Sequence, residues 1–230
     1  MLNYSMLSSQ FKISKLKMRE AHNSKLKTQN SKFKIQRMIT LHELLASRDA
    51  RHATQQKLLA EHSGKTLVCL TVVMPGSVKR NQQSLTAAHA AVEAMRKAFA
   101  VKENKGLFPL ENIETPEPLV PLESLAPTLL ELDLETGYEA YLITPMPLLE
   151  AKRIAVNIED THPLGRLFDI DIINADGVPV SRDAIGEKPR RCLVCDHEAR
   201  YCMRMRWHTQ EDIWAKINEM VDSYVEARKS

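Results

Sequence analysis

His162-Pro163-Leu164-Gly165-Arg166-Leu167-Phe168-Asp169-Ile170-Asp171-Ile172 is the stretch on which the reading of this 230-residue chain turns. From Leu167 to Ile173 every residue is apolar except Asp169 and Asp171, which is the pattern of a strand with a buried face. Side chains two apart on a strand share a face. The two carboxylates therefore stand side by side, while Phe168, Ile170 and Ile172 enter the core behind them. Asn174-Ala175-Asp176-Gly177 then supplies turn chemistry, and Val178 to Ser181 is expected to pair back as a hairpin.

Working outward, Thr40-Leu41-His42-Glu43 fits a capping box that opens a helix running to about Ala60. Thr66 to Met74 reads as a buried strand stopped by Pro75-Gly76, and the Ala-rich segment 82–100 as a helix. Residues 103–128 hold five prolines and read as an irregular crossing with room for an edge strand. A strand near 138–144 and a helix near 147–158 precede the Asp-x-Asp strand. At the end of the chain Thr209 caps a helix whose stripe is Ile213, Trp214, Ile217, Met220, Val221 and Tyr224. Strands and helices mix without strict alternation. The expected class is α+β, or α/β, with a mixed sheet and flanking helices.

Residues 1–38 are of a different kind. They carry seven Lys, Arg19 and Arg37 against the single acid Glu20, in near-repeats such as Ser14-Lys15-Leu16-Lys17 and Ser24-Lys25-Leu26-Lys27. Such a segment buries too little apolar surface to offset its ordering entropy. It is expected to be a disordered basic extension, a tail for an acidic partner, or the product of an upstream start with Met38 as the true one. The domain is then 39–230. Outside 1–38 the charges are 23 basic against 28 acidic, so the net +3 of the chain conceals an acidic body with no electrostatic reason to bind nucleic acid. No apolar run approaches the roughly 18 residues of a spanning helix, and there is no secretory apolar core, which points to the cytoplasm.

Two adjacent carboxylates repel, and a divalent cation relieves that repulsion directly. Mg²⁺ commonly uses one or two carboxylates together with substrate phosphates. Gly165-Arg166 adds a close-approach backbone position and a donor suited to phosphate oxygens. The layout is similar to the glycine-then-Asp-x-Asp arrangement of nucleotidyltransferases. Read alone, the pair is equally a solvated strand face. Ser63-Gly64-Lys65-Thr66 is set aside as a phosphate loop, because Leu59 stands where the first glycine is required and the strand follows instead of preceding.

The block His162 to Asp171 resembles the signature of the citrate lyase holo-acyl-carrier-protein synthases, the apo-citrate lyase phosphoribosyl-dephospho-CoA transferases. Arg190-Arg191-Cys192-Leu193-Val194-Cys195 and Leu44-Leu45-Ala46-Ser47-Arg48-Asp49-Ala50-Arg51 match two further blocks of that family, with weaker similarity at Thr71 to Gly76. The resemblance covers roughly residues 40–225. It implies that a serine of the citrate lyase γ subunit, a small acyl carrier protein, attacks the α-phosphate of triphosphoribosyl-dephospho-CoA and releases pyrophosphate. On that reading Asp169 and Asp171 hold Mg²⁺, and Arg166, Arg190, Arg191, Arg48 and Lys79 meet the phosphates, with Gly165 and His162 beside them. Each of those cations is otherwise a solvated surface charge, and His162 a backbone-bonded loop residue.

Three of the four cysteines form Cys192-x2-Cys195-x6-Cys202, with His208 beyond them. Three thiols and an imidazole can complete tetrahedral zinc, and reduced, unliganded thiols are the alternative. Two other functions stay open. One is a similar nucleotidyltransferase serving another carrier, such as that of malonate decarboxylase. The other is a non-enzymatic, zinc-stabilised interaction module.

Overall fold

Reciprocal caps open the first and last helices among the described residues. Thr40 Oγ1 accepts the Glu43 N–H (3.2 Å) while a Glu43 carboxylate oxygen accepts the Thr40 N–H (2.9 Å), starting α1 (Leu41–Glu61). The computed structural model describes residues 37–99 and 128–229, all within one unit, Arg37–Ser230. The expectations for residues 1–36 and for the 103–127 crossing lie outside the described residues. After α1 come β1 (Thr66–Val72), α2 (Gln82–Phe99), β2 (Thr128–Leu134), β3 (Gly137–Thr144), α3 (Leu148–Thr161), a single 3₁₀ turn at Gly165–Leu167 and β4 (Phe168–Ile173). The short α4 (Ala199–Met205) precedes α5 (Gln210–Ala227), whose box pairs Thr209 with Asp212.

The strands lie in the order β2-β3-β1-β4, and every pairing is antiparallel. The class is α+β. The sheet is antiparallel where a mixed one was expected, because β1 inserts between β3 and β4. Those two strands run the same way but never pair, so β3–α3–β4 is a split β-α-β unit. Two elements escape the sequence reading: β2, whose leucines adjoin the Pro-rich stretch, and α4. The expected hairpin after β4 contracts to a bridge at Ile173–Pro179 with two backbone bonds across it, Val180 N–H to the Ile172 carbonyl (2.8 Å) and Asn174 N–H to the Val178 carbonyl (3.0 Å).

One face of the sheet carries Val68, Leu70, Leu142, Phe168, Ile170 and Ile172, packed against α2, α3 and α5. The other carries Leu67, Cys69, Tyr141, Ile143 and Ile173, with Leu58 and Leu59 of α1 laid over them. Phe168, Ile170 and Ile172 are fully buried, and burial of each contributes roughly 1.5–3 kcal/mol. A one-residue slip of β4 would exchange those side chains for two carboxylates, so its register is strongly specified. No helix among the described residues is long and apolar enough to cross a membrane.

Candidate functional site

Strand register decides what surrounds the Asp pair. Thr71 of β1 lies opposite Glu139 on one side and Asp169 on the other; Cys69 lies likewise between Tyr141 and Asp171. Cross-strand partners share a face. The face under α1 therefore presents two rows, Glu139–Thr71–Asp169 and Tyr141–Cys69–Asp171. Glu139, almost fully buried, takes Arg51 of α1 (Nε to Oε1, 3.0 Å) and the Tyr141 hydroxyl (2.5 Å). Burial pushes the Cys69 thiol up to about 12, so it stays protonated, with Gln55 Nε2 at 3.5 Å from its sulfur.

Asp169 is about half exposed, with 46% of its side chain open to solvent, and Asp171 is half-buried. Burial first, then the charge of Asp169, hold the Asp171 carboxyl above its usual range, while Lys152 opposes them. Lys152 of α3 is itself buried. Desolvation lowers its ammonium, and Asp171, Glu159 and Asp169 pull it back up. It belongs with Val156 and Glu159 to the stripe of α3 that runs along the open edge of β4. Glu159 closes that edge: its Oε1 accepts the Ile170 N–H (2.9 Å) and its Oε2 the Arg182 guanidinium (2.5 Å). Arg182 also forks onto Asp160, both bonds at 3.1 Å.

The cations named from sequence divide into three groups. Arg190 donates to Asp169 (Nη1 to Oδ1, 3.0 Å) and to the Phe168 carbonyl, and its Nε is buried 4.0 Å from Glu159 without a hydrogen-bond partner. It is thus tied to the carboxylates instead of standing free. Arg166 and Arg191 line a cavity of about 690 Å³ that they share with Asp160, Arg182 and Lys188. Burial, then Arg190, lowers the Arg166 guanidinium, whereas Arg191 is exposed and only loosely paired with Asp196 at 3.9 Å. Arg48 and Lys79 sense one another's charge beyond the end of β1. Lys79 donates to the Met74 carbonyl (2.5 Å), and burial, then Arg48, lowers its ammonium.

Gly165 is a close-approach position, but the neighbour is protein. A Cβ there would lie 2.4 Å from the Glu159 carbonyl oxygen, so the glycine lets the 3₁₀ turn press against the end of α3. His162 stands apart from the pair. Its Nδ1 accepts the Leu164 N–H (3.0 Å), and its ring packs on Phe168 (4.9 Å) and Tyr224 (5.5 Å), behind the sheet. Burial lowers the imidazole, in keeping with a neutral structural residue.

The cysteine cluster closes on itself. One ligand atom from each of Cys192, Cys195, Cys202 and His208 lies within 4.8 Å of all the others, so the four could hold a metal ion. Cys195 Sγ is 3.5 Å from Cys202 Sγ and 3.2 Å from His208 Nε2. The loop Cys192–Asp196 also walls the cavity at Arg166.

The profile of the apo-citrate lyase phosphoribosyl-dephospho-CoA transferases matches residues 39–116 and 123–224. The chain belongs to this family. A probable apo-citrate lyase phosphoribosyl-dephospho-CoA transferase of Vibrio cholerae serotype O1 (strain M66-2) is 34% identical over 187 residues, 81% of this chain and 93% of the relative. One of Streptococcus pyogenes serotype M18 is 31% identical over 189 residues, 81% and 87%. The protein CitXG of Haemophilus influenzae is 30% identical over 186 residues, 81% of this chain but 36% of that longer protein.

Within this transferase-family chain, sequence reasoning passed over four residues that the fold brings to the pair or its face: Lys152, Glu159, Arg182 and Glu139. The Glu159 carboxylate is spent on Ile170 and Arg182. The one local signal for α3 was polar residues seven apart, Lys152 and Glu159, on a helix otherwise apolar on that side.

Proposed function

We propose that the chain transfers the phosphoribosyl-dephospho-CoA group from triphosphoribosyl-dephospho-CoA to a serine of the apo acyl carrier (γ) subunit of citrate lyase. The serine oxygen forms the new bond to the α-phosphorus. The α–β phosphoanhydride bond breaks, and its electron pair leaves with pyrophosphate. The reaction belongs to the cytoplasm, where the carrier subunit is expected. One observation carries the reading beyond family membership: two carboxylates on one strand face, framed by Arg190, Lys152 and the cations Arg166 and Arg191 of the adjoining cavity.

The donor set fits magnesium. Two carboxylates share a face, one of them open to solvent, and the Asp171 carboxyl is held high by burial and then by the charge of Asp169, both of which a divalent cation would offset. Asp169 and Asp171 would hold the ion, which supplies charge neutralisation for the phosphates when bound. The chain's own part is positional and electrostatic. Arg190 orients Asp169 and fixes the start of β4, Lys152 lowers the cost of keeping Asp171 ionised, and Arg166 and Arg191 offer donors to the triphosphate. Arg48 and Lys79 form a second cationic point beyond the end of β1. This nucleotidyltransferase-like arrangement is built here on an antiparallel sheet.

The Cys₃His cluster supports structural zinc. Tetrahedral sites with Zn–S near 2.3 Å place sulfurs about 3.8 Å apart, close to the spacing found for Cys195 and Cys202. Elemental analysis should find about one zinc per chain, and chelation should lower the melting temperature. Metal-free protein of unchanged stability would end the zinc assignment and leave the transferase untouched.

The deciding experiment mixes the purified chain with apo carrier, triphosphoribosyl-dephospho-CoA and Mg²⁺, then weighs the carrier by mass spectrometry. A carrier heavier by one phosphoribosyl-dephospho-CoA group, dependent on both Mg²⁺ and donor, is expected. Modification of a malonate decarboxylase carrier in preference would reassign the acceptor. No modification of either would refute the enzyme.

A further inference from the structure

α4 and the turn after it, Ala199 to Trp207, form an outward-facing strip. Of these residues only Cys202 is buried. Tyr201, Met203, Met205 and Trp207 are 43%, 69%, 58% and 56% exposed, a density of large apolar side chains found nowhere else among the described residues. A seven-residue helix with one buried side chain has no stability of its own, so something else must hold it. The metal-type cluster does so: Cys202 inside the strip and His208 just after it both belong to that cluster, and Arg206 adopts the left-handed region (φ 48°), alone among the described non-glycine residues. Trp207 N–H closes that turn on the Cys202 carbonyl (3.0 Å). His197, Tyr201 and Trp207 then stack as three rings, with centroids 5.5–6.1 Å apart.

Arg200, Arg204 and Arg206 are interleaved with those side chains. All three are exposed, and none forms an ion pair among the described residues. The body outside residues 1–38 is acidic, with 23 basic against 28 acidic residues, so the strip opposes the charge of its own protein. Contiguous exposed apolar surface marks an interaction site, and aromatic, Met and Arg side chains are those enriched where proteins meet. Unpaired arginines select a partner of opposite charge. Three cations on an acidic body are poor equipment for a nucleic acid or a lipid surface, which reward larger basic clusters.

The strip is also wired to the Asp pair. Ala199 N–H donates to the Arg190 carbonyl (2.8 Å), and the Arg190 side chain grips Asp169. A protein seated on α4 is therefore one arginine away from Asp169 and next to the cysteine loop that walls the 690 Å³ cavity. We infer that Arg200, Tyr201, Met203, Arg204, Met205 and Trp207 are the docking surface for an acidic, apolar-centred face of the acyl carrier protein. The inference rests on the function proposed above.

The test compares the full chain with an Arg200→Glu/Arg204→Glu variant and a Met203→Glu variant. Initial rates are measured against carrier at saturating donor, and against donor at saturating carrier. The KM for carrier should rise roughly tenfold or more in the charge-reversed variant, with kcat and the KM for donor within about twofold. Calorimetric titration of apo carrier, without donor, should show the same loss of affinity. Wild-type affinity should fall as salt is raised, and the variant's should respond less. Circular dichroism and melting temperature should match wild type, because every altered side chain is exposed. Unchanged carrier KM and unchanged calorimetric affinity in both variants would overturn the docking surface while leaving the transferase standing. Loss of binding to single-stranded nucleic acid or anionic vesicles, with carrier binding intact, would overturn it too. A wild-type chain that binds carrier through the strip yet modifies none would instead refute the proposed reaction.

Discussion

Replacing Asp171 by Asn separates the electrostatics of the pair from its chemistry. Two residues along a strand at roughly 3.3 Å each put the carboxylates about 6.6 Å apart. At an effective dielectric near 20, like charges at that distance repel by about 2.5 kcal/mol. Arg190, 3.0 Å from Asp169, and Lys152 beside Asp171 cancel part of this. The net relief should be about 1 kcal/mol, which raises the melting temperature by about 2–4 °C for a domain of this size. The sign follows from linkage. The folded-state pKa of Asp171 lies above its ordinary 3.8, so ionising it weakens the fold as pH rises through that value. The gain in Asp171→Asn should therefore be full well above the raised folded-state pKa and fade as pH falls through it and the wild-type carboxyl takes up its proton. Scanning calorimetry in EDTA at several pH values reads this directly. Carrier modification should meanwhile fall by orders of magnitude. A loss of stability at pH 7, or a gain that ignores pH, would refute the electrostatic reasoning. Activity within a few-fold of wild type would refute the role given to the pair.

Glu159→Ala leaves Arg182 and the Ile170 N–H without their shared acceptor. Breaking that buried pair should cost about 3–5 kcal/mol by urea titration, whereas Glu159→Gln, which keeps the acceptor, should cost less; equal losses would show that the charge carries the whole effect and the retained acceptor oxygen none of it. Gly165→Ala drives a methyl to 2.4 Å from the Glu159 carbonyl and should destabilise by about 1–3 kcal/mol, visible as a lower melting temperature; an unchanged temperature would mean the turn is loose. Lys152→Met removes the cation that opposes protonation of Asp171. The acidic limb of the pH–rate profile should then move to higher pH with the melting temperature nearly unchanged, and an unmoved limb would exclude Lys152 from the site.

What the sequence determined was local. Thr40 with Glu43, and Thr209 with an acid three residues on, sit within one helical turn of their partners, so their bonds are legible as spacing. The alternation at 167–173 placed Asp169 and Asp171 on one face, because a strand's period of two depends on nothing beyond the backbone, and Cys192, Cys195, Cys202 and His208 were close enough in sequence to suggest one ligand set. The tertiary structure decided what those groups meet. Glu139 and Asp169 share a row only because β1 inserts between β3 and β4, and pairing register is a property of three strands at once. Arg190 read as a free phosphate donor from its arginine-cysteine context, yet it lies on Asp169, 21 residues away, because the cysteine loop folds back over the start of β4. His162, the first residue of the signature, turned behind the sheet, since its ring accepts the Leu164 N–H and packs on Phe168 and Tyr224. Lys152 and Glu159 looked like ordinary helix polar residues until α3 came to rest along the open edge of β4. An unpaired strand edge has N–H groups to satisfy, and which helix satisfies them depends on contacts that form only when the whole domain closes.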